Sequence, residues 1–277
     1  MQVNTIAEQL LFTTVRIETT NPDGTGTGTA FIFNYQQEEK QYLFLVTNKH
    51  VIRGAIDGRF FFTLSDGQSP QIGQRFDIQM NKFEQQWFGH PDPEIDVAVM
   101  PLVPVLQQIQ KKGKTVFYKS ITHNLIPTPE QMNDLDAIEE VVFIGYPNGI
   151  FDSKNLMPVV RRGTTATHLQ LDYEGKPLFL IDASVFPGLS GSPVLIVNTG
   201  GYSHKGVFEV GNRVLFLGII SSVAIREEQG QIAFISSPVF QVPIVRTQQM
   251  IDLGIVYKAS TILETVKILV DKWSKSQ

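Results

Sequence analysis

A serine lies between two glycines in the segment Phe186–Pro193, which reads FPGLSGSP. Apolar runs lie on either side of it, over Leu178–Ile181 and Val194–Val197, and this pattern is typical of a tight loop between two buried strands. Gly188 permits a backbone conformation that a residue with a Cβ resists. If the N–H groups of Gly188 and Ser190 point the same way, they can bind a developing oxyanion, with the Ser190 hydroxyl beside it as the nucleophile.

A serine hydroxyl needs a general base to attack a carbonyl at neutral pH, and the chain offers five histidines. His50 follows directly on a predicted buried strand, Leu43–Thr47, and the sequence predicts a sharp exit from that strand. The other four lie in polar or loop-like contexts, where a surface position or a satisfied hydrogen bond is the simpler interpretation: His90, expected in an exposed Pro-rich loop, and His123, His168 and His204. His50 is therefore the candidate base.

The base in turn needs a carboxylate that orients its ring. Asp96 precedes the apolar run 97–102, whereas Asp92 and Glu94 lie in the Pro-rich loop before it. A glycine–serine loop alone is not specific for catalysis, because both residue types are common in turns. The order of base, acid and serine is more specific, and it differs from the esterase elbow, which would need a glycine at position 192 and a base after the nucleophile.

Three blocks of the sequence, Val46–Val51, Asp96–Val99 and Asp182–Pro193, resemble the blocks around the catalytic residues of trypsin-like serine endopeptidases and occur in that family's order. Three further blocks agree with this resemblance: Gly24–Ile32, Phe143–Gly149 and Leu217–Ser221. The similarity covers about residues 8–245 and is closest to the bacterial stress-type branch. The peptide-binding domain that such bacterial proteins often carry has no counterpart in the tail of this sequence.

The resemblance implies an all-β fold of two six-stranded antiparallel β-barrels with a C-terminal helical tail and a cleft between the barrels. It also implies a serine endopeptidase that uses a triad. In it His50 is the base, Asp96 orients the imidazole, and Ser190 is the nucleophile. The N–H groups of Gly188 and Ser190 would form the oxyanion hole.

The same resemblance implies a set of residues that contact the substrate: Ser184, Leu189, Ser221 and Val223. Ser184 takes the place at the floor of the specificity pocket where trypsin has an aspartate, and Val223 would narrow that pocket. An uncharged, narrowed pocket predicts cleavage after small or medium apolar residues.

Three residues depart from the family's usual pattern. Asn48 and Lys49 stand where alanines are usual, and Ser192 stands where a glycine is usual. An ammonium group close to the imidazole would disfavour the imidazolium that must form during attack. An alternative function therefore stays open, that of a catalytically inactive trypsin-like module that binds a peptide or protein partner.

The chain has 277 residues, a hydrophobic fraction of 42%, a net charge of −4 and no cysteine. Its size and hydrophobic fraction predict a substantial core, and the lack of cysteine excludes disulfides and thiolate catalysis. The basic residues form no nucleic-acid-binding stripe, the histidines have no zinc spacing, and no apolar run is long enough to span a membrane. We therefore expect no cofactor, metal, nucleic acid or membrane partner.

The sequence shows no secretory signal, which predicts a cytoplasmic protein. A protease in the cytoplasm must be restrained. We therefore expect a regulatory protein partner in addition to the protein or peptide substrate.

Short alternating runs separated by turn signals predict strands through most of the chain. We expect an N-terminal barrel over residues 1–111, which ends in a short helix at 103–111, and a connection over 112–138. A C-terminal barrel is expected over 139–240, and helices that pack on the barrels over 241–277.

Within that tail, the pattern predicts a helix over about 242–253 that ends at Gly254. A second helix is expected to begin at a capping box formed by Thr261 and Glu264. The C-terminal barrel is expected to include strands at 166–171 and 232–236.

Overall fold

The computed structural model describes residues 2–147, 150–231 and 244–275, except for the side chains of residues 204, 223–231 and 244–251. In this part of the chain the helices are α1 Ile6–Leu10, α2 Lys49–Ile52, α3 Val103–Lys111, α4 Pro129–Asp134 and α5 Ala259–Lys275. The bounds of α3 are those predicted for the short helix after the first set of strands. All other described elements are strands, turns or short 3₁₀ segments.

The first sheet contains eight strands: β1 Thr14–Asn21, β2 Gly24–Gln37, β3 Lys40–Thr47, β4 Asp57–Ser65, β5 Pro70–Asn81, β6 Phe88–Gly89, β7 Ala98–Pro101 and β8 Ile121–Thr122. Their order is β5-β4-β1-β2-β3-β7-β6, and β8 pairs in parallel with β2. The predicted hairpin of β2 and β3 is present, with Phe31 opposite Val46. Because β3 and β7 are neighbours, the chain segments that follow β3 and precede β7 lie at the same end of the sheet.

This first sheet is not the closed six-stranded barrel that the sequence predicted. Within the described residues, β5 and β6 at its two ends do not pair with each other. The chain after β5 forms a 3₁₀ turn, Phe83–Gln86, and β6 is only two residues long. Phe83 is fully buried there, and its ring centroid lies 5.3 Å from that of Phe60 and 5.8 Å from that of Trp87. Aromatic packing therefore takes the place of strand pairing at this opening.

The second sheet is a closed barrel of six strands, as predicted. It comprises β9 Glu140–Gly145, β10 Val159–Thr165, β11 Leu178–Asp182, β12 Pro193–Asn198, β15 Arg213–Gln231 and β16 Ile244–Lys258, in the order β10-β11-β16-β15-β12-β9. A separate hairpin, β13 Tyr202–His204 and β14 Val207–Glu209, lies between β12 and β15 in the chain.

The helix predicted over 242–253 is wrong, because β16 occupies this stretch from Ile244 onward; residues 242 and 243 lie outside the described residues. Gly254 pairs with Ile181 of β11 on one edge and with Val223 of β15 on the other. A strand that is paired on both edges of a barrel gains hydrogen bonds and packing that outweigh a local helical pattern. The predicted helical domain 241–277 is therefore helical only in α5, and the barrel, predicted to end at residue 240, extends through β16 to Lys258. The other predicted domain boundaries stay predictions.

The second tail helix is present as α5, but it begins before the predicted capping box. Thr261 lies inside the helix, where its hydroxyl donates to the carbonyl of Lys258.

The strand predicted at 166–171 is absent, because its residues form bends and turns. The predicted strand at 232–236 lies outside the described residues.

Three apolar clusters fill the molecule. One lies within the first sheet, one lies inside the barrel, and the third joins the two sheets to α5. In the joining cluster, the ring of Phe31 on β2 lies 5.4 Å from the ring of Phe216 on β15, and Ile262 and Val266 of α5 are fully buried. The described helices include none with the length and hydropathy of a membrane-spanning segment.

Candidate active site

His50 and Asp96 lie at the same end of the first sheet and are joined by two hydrogen bonds. His50 is in α2, directly after β3, and Asp96 ends the loop before β7. The Nδ1 atom of His50 lies 2.6 Å from Oδ2 of Asp96, and the backbone N–H of His50 donates to Oδ1 at 3.0 Å. Both carboxylate oxygens therefore hold the histidine, so that the imidazole is fixed through its Nδ1 side.

Asp96 is mostly buried, with 19% of its side chain exposed. Burial alone raises its pKa, but the hydrogen bonds and the charge of His50 together with the hydroxyl of Ser221 outweigh burial and hold the pKa of Asp96 below its usual value. The Ser221 hydroxyl donates to Oδ2 at 2.6 Å. The carboxylate is therefore kept ionised beside the imidazole.

Ser190 lies on the loop between β11 and β12, and its hydroxyl donates to the backbone carbonyl of Ser221 at 2.8 Å. Ser221 on β15 thus contacts both the acid, through its side chain, and the serine, through its carbonyl. The structure therefore brings His50, Asp96 and Ser190 into one hydrogen-bonded chain that passes through Ser221. In this arrangement the acceptor for the Ser190 hydroxyl is Ser221 and not His50.

Only some of the backbone N–H groups in the loop around Ser190 donate hydrogen bonds within the described residues. Those of Leu189, Gly191 and Ser192 donate to the carbonyls of Phe186, Ile220 and Leu189, at 3.1, 2.9 and 2.9 Å respectively. Among the described residues, no acceptor is found for the N–H of Gly188 or of Ser190. Gly188 has φ +92°, a left-handed conformation that favours glycine. The two predicted oxyanion donors are thus among the N–H groups of this loop that have no acceptor within the described residues.

Thr29 on β2 connects the Ser190 loop to the first sheet through two hydrogen bonds. Its N–H donates to the carbonyl of Ser190 and its hydroxyl donates to the carbonyl of Gly188, both at 2.9 Å. Its own carbonyl accepts from the Thr47 hydroxyl at 2.7 Å, and a Cβ at Gly191 would overlap that carbonyl. Sequence reasoning did not find Thr29, although it lies in the glycine-rich block that resembled the family.

The four predicted substrate-contacting residues have different environments. Ser184 is half-buried in the segment after β11, and Ser221 lies on β15 beside Ser190. Leu189 is fully buried in the core of the barrel, and its contact with substrate stays a prediction. The side chain of Val223 lies outside the described residues.

Lys49 precedes the candidate base, but its ammonium group is bound elsewhere. Its Nζ donates to the backbone carbonyl of Asp92 at 2.7 Å. Burial lowers the pKa of Lys49, although the negative charges of Asp96 and Asp92 act to raise it.

His90, which was expected in an exposed loop, is buried, and its Nδ1 accepts from the N–H of Asp92 at 3.1 Å.

A family model described as the trypsin-like peptidase domain matches residues 28–201. No curated protein sequence matches the chain.

Several solved structures are similar to the chain at low sequence identity. The HtrA-type protease AlgW with a tripeptide is 18% identical with a TM-score of 0.49, over 96% of this chain and 62% of that one. A serine endoprotease from Yersinia pestis is 15% identical with a TM-score of 0.48, over 98% and 68%. A Mycobacterium tuberculosis protease in its active form is 15% identical with a TM-score of 0.45, over 95% and 83%. The chain thus spans less than two thirds of the length of the HtrA-type protease.

Proposed function

The chain belongs to the family of trypsin-like peptidase domains, and on this premise we propose that it is a serine endopeptidase that cleaves peptide bonds with a triad of His50, Asp96 and Ser190. The observation that carries the proposal is the chain of hydrogen bonds from His50 through Asp96 and Ser221 to Ser190. Side chains from the two sheets meet in this chain.

In the proposed mechanism, the Ser190 hydroxyl leaves the carbonyl of Ser221 and donates to Nε2 of His50. Oγ then attacks the scissile carbonyl while His50 takes the proton, which it gives to the leaving amine as the C–N bond breaks. A water molecule, deprotonated by His50, then attacks the acyl group and releases it from Ser190, which regains its proton from His50. Asp96 fixes the tautomer of the imidazole and stabilises the imidazolium. The N–H groups of Gly188 and Ser190 bind the oxyanion, and donors of this kind are worth about 3 kcal/mol each.

Hydrolysis is tested with an unfolded protein as substrate and mass spectrometry of the products. We expect fragments from the wild type and none from Ser190→Ala, because the variant lacks the nucleophile. The alternative function, that of an inactive binding module, predicts a different result in this experiment. Under it the wild type would give no fragments, and wild type and Ser190→Ala would bind the same peptides with equal affinity.

For specificity, we propose cleavage after small or medium apolar residues. The uncharged side chain of Ser184 supports this, since a cationic side chain in the pocket would find no carboxylate there. Peptides that end in alanine, valine or leucine before a chromogenic leaving group should be cleaved faster than the arginine peptide. A strong preference for arginine would contradict the proposal.

The remaining predictions concern the setting of the enzyme. We propose that protein or peptide chains are its substrates and that a regulatory protein partner restrains it. We also propose the division into two β units joined by residues 112–138. A cytoplasmic location, a bacterial origin and the absence of nucleic-acid and membrane partners stay predictions from the sequence.

A further inference from the structure

Three consecutive residues, Asn48, Lys49 and His50, each bind the loop that carries the acid, residues 92–96. The Asn48 side-chain amide donates to the carbonyl of Asp96 at 2.7 Å, and Asn48 is fully buried. The bonds from His50 end on the carboxylate of Asp96. Two of these three residues are those that depart from the family's usual alanines. Asn48 and Lys49 thus both contact the loop that carries Asp96.

Lys49 contacts the opposite end of the same loop. Its Nζ donates to the carbonyl of Asp92, the same carbonyl that accepts the N–H of Ile95 at 3.3 Å. That second bond closes the turn from Asp92 to Ile95, directly before Asp96. The lysine therefore binds the carbonyl on which the turn itself is built.

The stem of Lys49 is also held in place. A Cβ at Gly89 on β6 would lie 3.1 Å from Cε of Lys49, so the methylene groups lie along the backbone of β6. Burial of a lysine stem with its ammonium on a backbone oxygen leaves the side chain few alternative positions. The ammonium group of Lys49 is thus bound to the loop that carries Asp96. This bond explains how a lysine is accommodated next to His50.

We propose that Lys49 is a positioning residue, which fixes the turn before Asp96 relative to α2 so that both carboxylate oxygens face His50. This inference rests on the proposed function of the triad. Without the lysine bond, the loop would keep the Asn48 contact at Asp96 but lose its attachment at Asp92. The carboxylate would then spend less time in line with the imidazole.

The test uses Lys49→Met, which keeps the length of the stem but has no donor, and Lys49→Arg, which keeps a donor. For the methionine variant we expect kcat to fall between about tenfold and about a hundredfold with KM little changed, because misplacement of a catalytic group acts on the chemical step. The arginine variant should recover most of the loss. The proton NMR signal of His50 Nδ1–H, expected far downfield, should be sharp in the wild type and Lys49→Arg and broadened or lost in Lys49→Met.

A matched control is Lys176→Met. Lys176 also binds the acid's loop, but through the exposed side chain of Glu94, with Nζ 3.0 Å from Oε2. Exposed ion pairs contribute little, so kcat should stay within about twofold of the wild type. If Lys49→Met fails to fold, Lys49→Leu, which is shorter than lysine and also has no donor, takes its place with the same expectation.

Two results would overturn the inference. If Lys49 acted only through its charge, Lys49→Met would keep or raise kcat and move the acidic limb of the pH–rate profile to higher pH. An unchanged Nδ1–H signal in Lys49→Met would also count against positioning. An inactive wild type with a sharp Nδ1–H signal would instead contradict the proposed function, which keeps the two failures distinct.

Discussion

In the first sheet, His50 and Asp96 owe their positions to side-chain hydrogen bonds, whereas in the barrel Ser190 owes its position to the backbone of its loop. The base and acid bind each other directly, and side-chain bonds from Asn48, Lys49 and Ser221 hold the acid and its loop. The loop around Ser190 instead depends on left-handed glycines and on carbonyls that Thr29 binds. The comparison teaches that substitutions at the base and acid should change rate more than stability, and that those that disturb the backbone of the serine loop should change both.

The largest effect on rate is expected for Asp96→Asn. The amide cannot hold the imidazole in the correct tautomer, and in the general triad template this change lowers kcat by about 10⁴-fold. The free energy of unfolding near neutral pH should change far less than the rate. Steady-state kinetics and urea unfolding of the same samples check this, and a rate within tenfold of the wild type would break the first half of the comparison.

Asp96 is also expected to make the free energy of unfolding depend on pH. Its pKa is lower in the folded chain than its usual value, so its contribution to stability is fully present above the pKa of the unfolded chain and is lost as pH falls through the folded pKa. Urea unfolding of the wild type should therefore show a loss of stability on acidification that is smaller in Asp96→Asn. Parallel pH profiles for the two proteins would contradict this.

A large effect on both rate and stability is expected for Gly191→Ala. Gly191 has φ +90°, and an added Cβ would overlap the carbonyl of Thr29. Strain and overlap together should cost about 3 kcal/mol or more, and the displaced loop should lose activity. The matched control is Gly200→Ala, which has φ +85° but no atom within 4 Å of its Cβ. It should cost only about 1 kcal/mol and leave the rate unchanged.

A smaller effect is expected for Thr29→Val, which keeps the shape of the side chain but removes its hydroxyl. The carbonyl of Gly188 and the N–H of Tyr146 both lose a buried partner, which should cost about 1–3 kcal/mol. The rate should fall as well, because Gly188 is one of the proposed oxyanion donors. Thr29→Ser should restore both, and a stable but slow Thr29→Ser would point to a role of the methyl group.

The smallest effect is expected for Ser192→Ala. The Ser192 hydroxyl is buried and has no hydrogen-bond partner within the described residues. Its removal should leave stability unchanged or raise it by up to about 1 kcal/mol, with the rate unaffected. Thermal unfolding and kinetics check this, and a loss above about 1 kcal/mol would show that the hydroxyl has a partner.

The sequence was sufficient to single out His50, Asp96 and Ser190, because each adjoins a strand in a recognisable block; their role as a triad stays a prediction. It was also sufficient for the closed barrel and for α3. It could not predict that β16 replaces a helix, because pairing with β11 and β15 depends on residues far away in the chain. Likewise, the role of Lys49 depends on the carbonyl of Asp92, which no residue pattern reveals.

The central claim is that His50 activates the hydroxyl of Ser190, and a serine-directed fluorophosphonate tests it most directly. Labelling is followed by intact mass, and the labelled residue is located by peptide mapping. We expect one adduct, on Ser190, that is absent in Ser190→Ala and forms at least about 10²-fold more slowly in His50→Ala, as for loss of a general base. A folded wild type that stays unlabelled, or equal labelling rates with and without His50, would contradict the account.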